Sequence, residues 1–148
     1  MSASGTIVVG VDGSDCSRTA LEFALDEAVR RSAAVRVVLA MPEADYWAAS
    51  YGMSPSLVDE LSTDLEKVGR DMVDSVVRER GGALADVPVE VRALGGSPGR
   101  VLVAQSDGTD LLVVGHRGRG GFRSSVLGSV GLHCVLHASV PVTVVRPT

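Results

Sequence analysis

The segment VVGHRGRGGFRSSVLGSVG, residues 113–131, holds six glycines and three arginines in nineteen positions and contains no carboxylate. Glycines let a backbone turn sharply and bring consecutive N–H groups close to a bound anion. Arg117, Arg119 and Arg123 add side chains suited to charge-assisted hydrogen bonds with phosphate oxygens. His116 near one end of the segment and Ser129 near the other bring further polar groups. The chemistry these residue types suit is the holding of phosphates. A second glycine-bearing stretch, GVDGS (residues 10–14), closes an apolar run near the N-terminus and contributes one carboxylate, Asp12.

Neither stretch is one of the two commonest nucleotide motifs. A Walker loop needs G-x-x-x-x-G-K-[ST] with a lysine at the terminal phosphates, and the single lysine of this chain, Lys67, lies far in sequence from both stretches. The dinucleotide fingerprint belongs after the first strand, where only GVDGS stands. Phosphoryl transfer needs charge neutralisation and an oriented nucleophile. Asp12 is the one carboxylate of the two stretches suited to a Mg²⁺ ion travelling with ATP, and no base–nucleophile pair accompanies it. The expectation is a binder with no dedicated catalytic residues and at most slow ATP hydrolysis. His133 and His137, with Cys134 between them, have a spacing that metal sites use, but no third ligand is close in sequence.

The elements that must position these residues alternate. Short β-rich runs stand at 6–11, 35–41, 87–94, 109–115 and 140–146. Between them lie helical runs at 14–33, 57–82 and 124–138, and a shorter one within 95–108 opened by Ser97 and Pro98. In the first helix Ala20, Leu21, Ala24, Leu25, Ala28 and Val29 recur at three- and four-residue spacing, with Ser14 or Asp15 as its cap. Residues 42–56, which hold Tyr46, Trp47 and Tyr51, read as a loop or lid. Strands that alternate with helices predict an α/β fold, one open five-stranded parallel sheet with helices on both faces. The favoured order, 3-2-1-4-5, puts the topological switch between strands 1 and 4. Ligands of such sheets bind outside the carboxyl ends of the strands at that switch, where GVDGS and GHRGRGG both emerge.

Charge points the same way. Residues 1–110 carry all 18 acids against ten bases, whereas residues 111–148 carry four arginines and no acid. A local cationic segment on an acidic body focuses a small anion, whereas nucleic acid would need a broad basic face. No apolar run approaches the roughly 20 residues of a membrane span. Two cysteines, Cys16 and Cys134, do not make a disulfide framework, and the N-terminus reads as a first strand instead of a signal peptide, so the expected compartment is the cytoplasm. The whole chain, 1–148, is read as one domain.

The spacing Gly115-x2-Gly118-x9-Gly128-Ser129 resembles the G-x2-G-x9-G-[ST] motif of the universal stress protein family, and the resemblance covers essentially the whole chain. It implies a Rossmann-like fold of the adenine nucleotide alpha hydrolase type. It also implies an adenine nucleotide: ATP, with or without Mg²⁺ at Asp12, or alternatively AMP or cyclic AMP. Asp12 would bond the ribose, with Gly10 and Val11 flanking the adenosine and Ala40 meeting adenine through its main chain. Val114, Gly115, Gly118, Gly128, Ser129 and Val130 would surround ribose and phosphates, with His116, Arg117 and Arg119 in the same loop. Family members commonly dimerise through the last strand, here 140–146, and act in stress responses with a protein partner. This chain departs from many of them in having Gly131 where they carry Ser or Thr.

Overall fold

The computed structural model describes residues 4–41, 52, 54–117 and 127–147. Thr6–Gly10 forms β1, and its alternation decides the architecture. Ile7 and Val9 face one side of the sheet and Val8 the other, and all three are fully buried. A strand apolar on both faces must be central and covered twice. Accordingly β1 pairs in parallel with β2 (Ala34–Met41) and with β4 (Leu111–Gly115). Outside these lie β3 (Val89–Gly95), on β2, and β5 (Val142–Val145), on β4, which gives the order β3-β2-β1-β4-β5. The switch falls between β1 and β4, as the alternation of elements predicts.

Helices α1 (Asp15–Arg31) and α2 (Pro55–Arg80) cover the face carrying Ile7, Val9, Val35, Val37 and Val113. Helices α3 (Pro98–Ser106) and α4 (Ser129–His137) cover the face carrying Val8, Val38, Leu112 and Val114. The stripe of α1 is the one its sequence announces: Ala20, Leu21, Ala24, Leu25 and Ala28 are buried. Val29, counted in that stripe, is exposed at the end of the helix. Ser14 caps α1 by accepting from the Ser17 N–H at 3.2 Å, and Ser32 closes it in the left-handed region at φ 55°. Arg18 of α1 reaches Ser75 at 3.0 Å and Glu79 at 2.7 Å on α2, while Arg80 returns to Asp26 at 2.9 Å.

Several boundaries differ from the sequence reading. The long helix starts two residues earlier and stops at Arg80, and Gly82–Asp86 forms a 3₁₀ turn that pushes the start of β3 to Val89. β4 begins at Leu111 because Asp110 turns aside: its carboxylate accepts the Thr6 N–H at 2.8 Å, bracing the start of β1. Ser97 occupies the cap position of α3, but its hydroxyl makes no capping bond there. β5 spans four residues within the expected 140–146. The aromatic stretch at Tyr46, Trp47 and Tyr51 lies outside the described residues. Among the described residues no helix is long and apolar enough to cross a membrane.

Candidate functional site

At the carboxyl ends of β1, β2 and β4 the sheet opens into a cleft of about 540 Å³, within the usual range for small-molecule sites. Its floor is built by strand ends. Gly10 and Val11 come from β1 and the residue after it, Val38 and Ala40 from β2, and Val114 and Gly115 from β4. One wall is the start of α3, Pro98 and Leu102, which lie one helical turn apart and so share a face. The other wall is the first turn of α4 and its lead-in, Gly128, Ser129, Val130 and Gly131. Asp12, Ser17, His116 and Arg117 complete the rim.

Local chemistry explains why the chain bends this way. Asp12 Oδ1 accepts the Ser14 N–H at 2.9 Å, an Asx turn that swings the backbone from β1 into α1. Of the two caps expected for α1, Ser14 takes the role, and the Asp12 carboxylate sits on the cleft rim. Gly10 packs closely on α3, since a Cβ there would lie 2.6 Å from Leu102 Cδ1 and that side chain would have to shift. Gly115 is required for a different reason than the phosphate cradle suggested in sequence. A Cβ at Gly115 would meet the Cys16 carbonyl oxygen at 3.0 Å, so its bareness lets α1 approach the end of β4. His116 is only 6% exposed. Its N–H donates to Val145 of β5 at 2.8 Å, and its carbonyl accepts the Gly128 N–H at 2.9 Å. That second bond draws together the two ends of the glycine-rich loop and presents the start of α4 to the cleft.

The starts of α1, α3 and α4 all contribute to this one cleft. Each helix N-terminus carries unsatisfied N–H groups and the positive end of its dipole. With Arg117 on the rim and Asp12 as the single carboxylate among the described lining residues, the arrangement favours an anion at the α4 side. The floor and the α3 wall, with Val38, Ala40, Leu102 and Val114, are apolar and suit a flat ring. One carboxylate beside bound phosphates is a donor set that Mg²⁺ accepts, since it usually keeps waters and takes few protein ligands. Among the described residues no three His, Cys, Asp or Glu side chains converge as a metal cluster. The His133 and His137 rings lie 4.5 Å apart at a tilt of 45°, and the His133 ring lies against Gly99 of α3, so His133 packs the two helices together. Cys134 is buried beneath them, and burial pushes its thiol up to about 11.

Of the residues singled out in sequence, Gly10, Val11, Asp12, Ala40, Val114 and Gly115 line the cleft, as do His116, Arg117, Gly128, Ser129 and Val130. Gly118 and Arg119 lie outside the described residues. Sequence reasoning missed Ser17, Val38, Pro98 and Leu102. Val38 was recoverable, because it stands two residues before Ala40 on the same strand and shares its face. Pro98 and Leu102 carried no such signal, looking like ordinary helix-start and core residues.

Comparison with known proteins agrees with this architecture. The profile of the universal stress protein family matches residues 4–146. The universal stress protein Rv2005c of Mycobacterium tuberculosis is 35% identical over 149 residues, spanning 95% of this chain but 45% of its own length. The chain thus spans about half the length of the curated relatives it matches. Among solved structures, a universal stress protein in complex with cAMP superposes with a TM-score of 0.65 at 27% identity, covering 97% of this chain and 98% of that one. The universal stress protein of Archaeoglobus fulgidus in complex with dAMP gives 0.67 at 26% identity, with the same 97% and 98% coverage. Five parallel strands in the order 3-2-1-4-5, a cleft at the switch point and a family match from Ser4 to Arg146 have one reading: this chain belongs to the universal stress protein family.

Proposed function

We propose that the protein is an adenine-nucleotide-binding regulator of the stress response, with the switch-point cleft as its nucleotide site. The observation that carries the reading is the meeting, in one cleft, of an apolar floor and a helix N-terminus led by Gly128 and Ser129, with Arg117 on the rim. Adenine lies on the floor near Ala40 and Leu102, ribose by Asp12, and phosphates at the start of α4. Gly118 and Arg119 complete the phosphate loop. ATP, with Mg²⁺ shared between its phosphates and Asp12, is the ligand proposed first. AMP or cyclic AMP is the second reading, favoured by the single phosphate of the ligands held by the two solved relatives. The protein works in the cytoplasm as a homodimer paired through the C-terminal strand, and the nucleotide governs its contact with a regulatory partner. It is a binder in which turnover of ATP is slow or absent.

A thermal-unfolding panel tests the reading. Saturating adenine nucleotide raises Tm by several degrees, because about 100-fold excess over Kd adds roughly 2.7 kcal/mol. Guanine nucleotides at the same concentration leave Tm in place. Equal shifts with both bases, or none with either, contradict an adenine site, and the ranking of ATP, AMP and cyclic AMP separates the two readings.

A further inference from the structure

His116 has a buried ring that nothing in the described fold engages. Its backbone is occupied on both sides: the N–H donates to Val145 of β5, and the carbonyl accepts from Gly128. The side chain is enclosed with the rest of the residue, yet among the described residues no hydrogen bond or ion pair reaches the imidazole. Buried polar groups ordinarily have partners. An imidazole without one, on the wall of a cleft, points to a partner that arrives with the ligand.

The strand sets the direction of the ring. Leu112 and Val114 face α3 and α4, and the bond from the His116 N–H to β5 carries the same ladder one step further. Side chains two apart share a face, so the imidazole stands beyond Val114 on the cleft side, and both residues line the cleft. The bond from Gly128 holds the start of α4 against the same residue. There α4 has no side-chain cap, and the N–H groups of Ser129, Val130 and Gly131 in its first turn have no intrahelical acceptor. An anion at that point meets those amides and the imidazole together.

We propose that His116 is a proton-gated ligand for the phosphate of the nucleotide. This rests on the nucleotide reading of the cleft and adds its regulation: the ring, protonated from solvent, donates an N–H to a phosphate oxygen at the start of α4. Imidazole changes charge between about pH 5 and 8, and a hydrogen bond from its charged form is roughly twice as strong as a neutral one. An anion beside the ring favours the charged form. Linkage is reciprocal, so the charged form favours the anion. Affinity is therefore greatest below the imidazole range and declines as pH rises through it.

Few other charged or titratable groups stand around the ring. Arg117 follows it in the chain, Asp12 stands at the end of β1 on the cleft rim, and Cys16 of α1 packs against the preceding Gly115. Arg146 follows β5. Residues 128–132 of α4 and its lead-in bring none, and α3 presents Pro98 and Leu102. His116 is the one histidine of the described lining.

Calorimetric titration of the whole chain with ATP, AMP and cyclic AMP, at about pH 6 and about pH 8, tests the proposal on wild type and H116Q. Comparison with the variant removes the ionisation of the phosphate itself, which falls near pH 6. The ratio of the variant's Kd to that of wild type is expected to grow about 5-fold from the higher pH to the lower. A ratio that stays constant while wild type binds overturns the proton-gated contact and leaves the nucleotide site standing. Wild type that takes up none of the three at either pH overturns both. NMR of wild type gives the answer without a variant, should H116Q lose its fold. On adding the tightest of the three nucleotides, the titration midpoint of the His116 ring is expected to move upward. His133 and His137, which lie outside the described lining, are expected to keep theirs. A His116 midpoint that does not move on saturation overturns the contact.

Discussion

One glycine and one serine separate ligand binding from folding. Ser129 is exposed at the first position of α4 and lines the cleft. In Ser129→Glu the new carboxylate faces the proposed phosphates, and like-charge contact of this kind costs several kcal/mol, so nucleotide affinity should fall at least about 30-fold. An acid in a helix's first turn is favourable to the helix, so Tm without ligand should stay within a degree or two of wild type. Loss of affinity without loss of Tm is the result to look for in paired titration and melting curves. Gly115→Ala is expected to behave oppositely. Its Cβ would press on the Cys16 carbonyl at 3.0 Å, and urea denaturation should show a loss of about 1–3 kcal/mol. The motif glycine was legible in sequence, but this reason for it was not. Spacing marks where a loop must be bare, whereas the atoms that demand bareness at residue 115 come from a helix a hundred positions earlier.

The elements themselves were legible because each central strand is apolar on both faces and each helix on one stripe. β1 and α1 follow directly from the Ile7–Val9 run and the Ala20–Ala28 spacing. What local pattern missed was decided by tertiary partners. Thr109 and Asp110 read as the start of a strand, yet Asp110 is drawn off to the Thr6 N–H. The 3₁₀ turn at Gly82–Asp86 is anchored by the single buried residue Leu84, which joins the core beneath α1. The exposed stripe of α4, Leu132, Val135 and Leu136, has the same apolar composition as a buried helix, so sequence alone could not distinguish its outward flank. A capping prediction belongs at this scale. Ser14 holds the first turn of α1, the element against which Gly115 packs, and Ser14→Ala should cost about 1 kcal/mol in urea denaturation. Ser14→Asp should restore most of it, because Asp accepts the same N–H.

For the molecule as a whole, Cys134 links the packing of the α3–α4 face to pH. Its thiol is pushed from 9.0 up to about 11 by burial, so the folded state holds a proton that the unfolded chain gives up first. The stabilisation is complete below about pH 9 and is lost as pH rises through about 11. Urea midpoints should therefore decline across that window, and Cys134→Ala should flatten the decline. At neutral pH a thiol reagent should label the partly exposed Cys16 readily and reach Cys134 only on unfolding. The switch-point location of the cleft was legible in sequence because strand order and loop composition converge on it, whereas the α3 wall appeared only when the sheet was assembled. The most direct measurement is calorimetric titration of nucleotide-stripped protein with ATP, AMP and cyclic AMP, with and without Mg²⁺. Saturable binding of an adenine nucleotide at one per chain is expected, abolished or strongly weakened in Ser129→Glu. Folded wild-type protein that takes up none of the three nucleotides would contradict it.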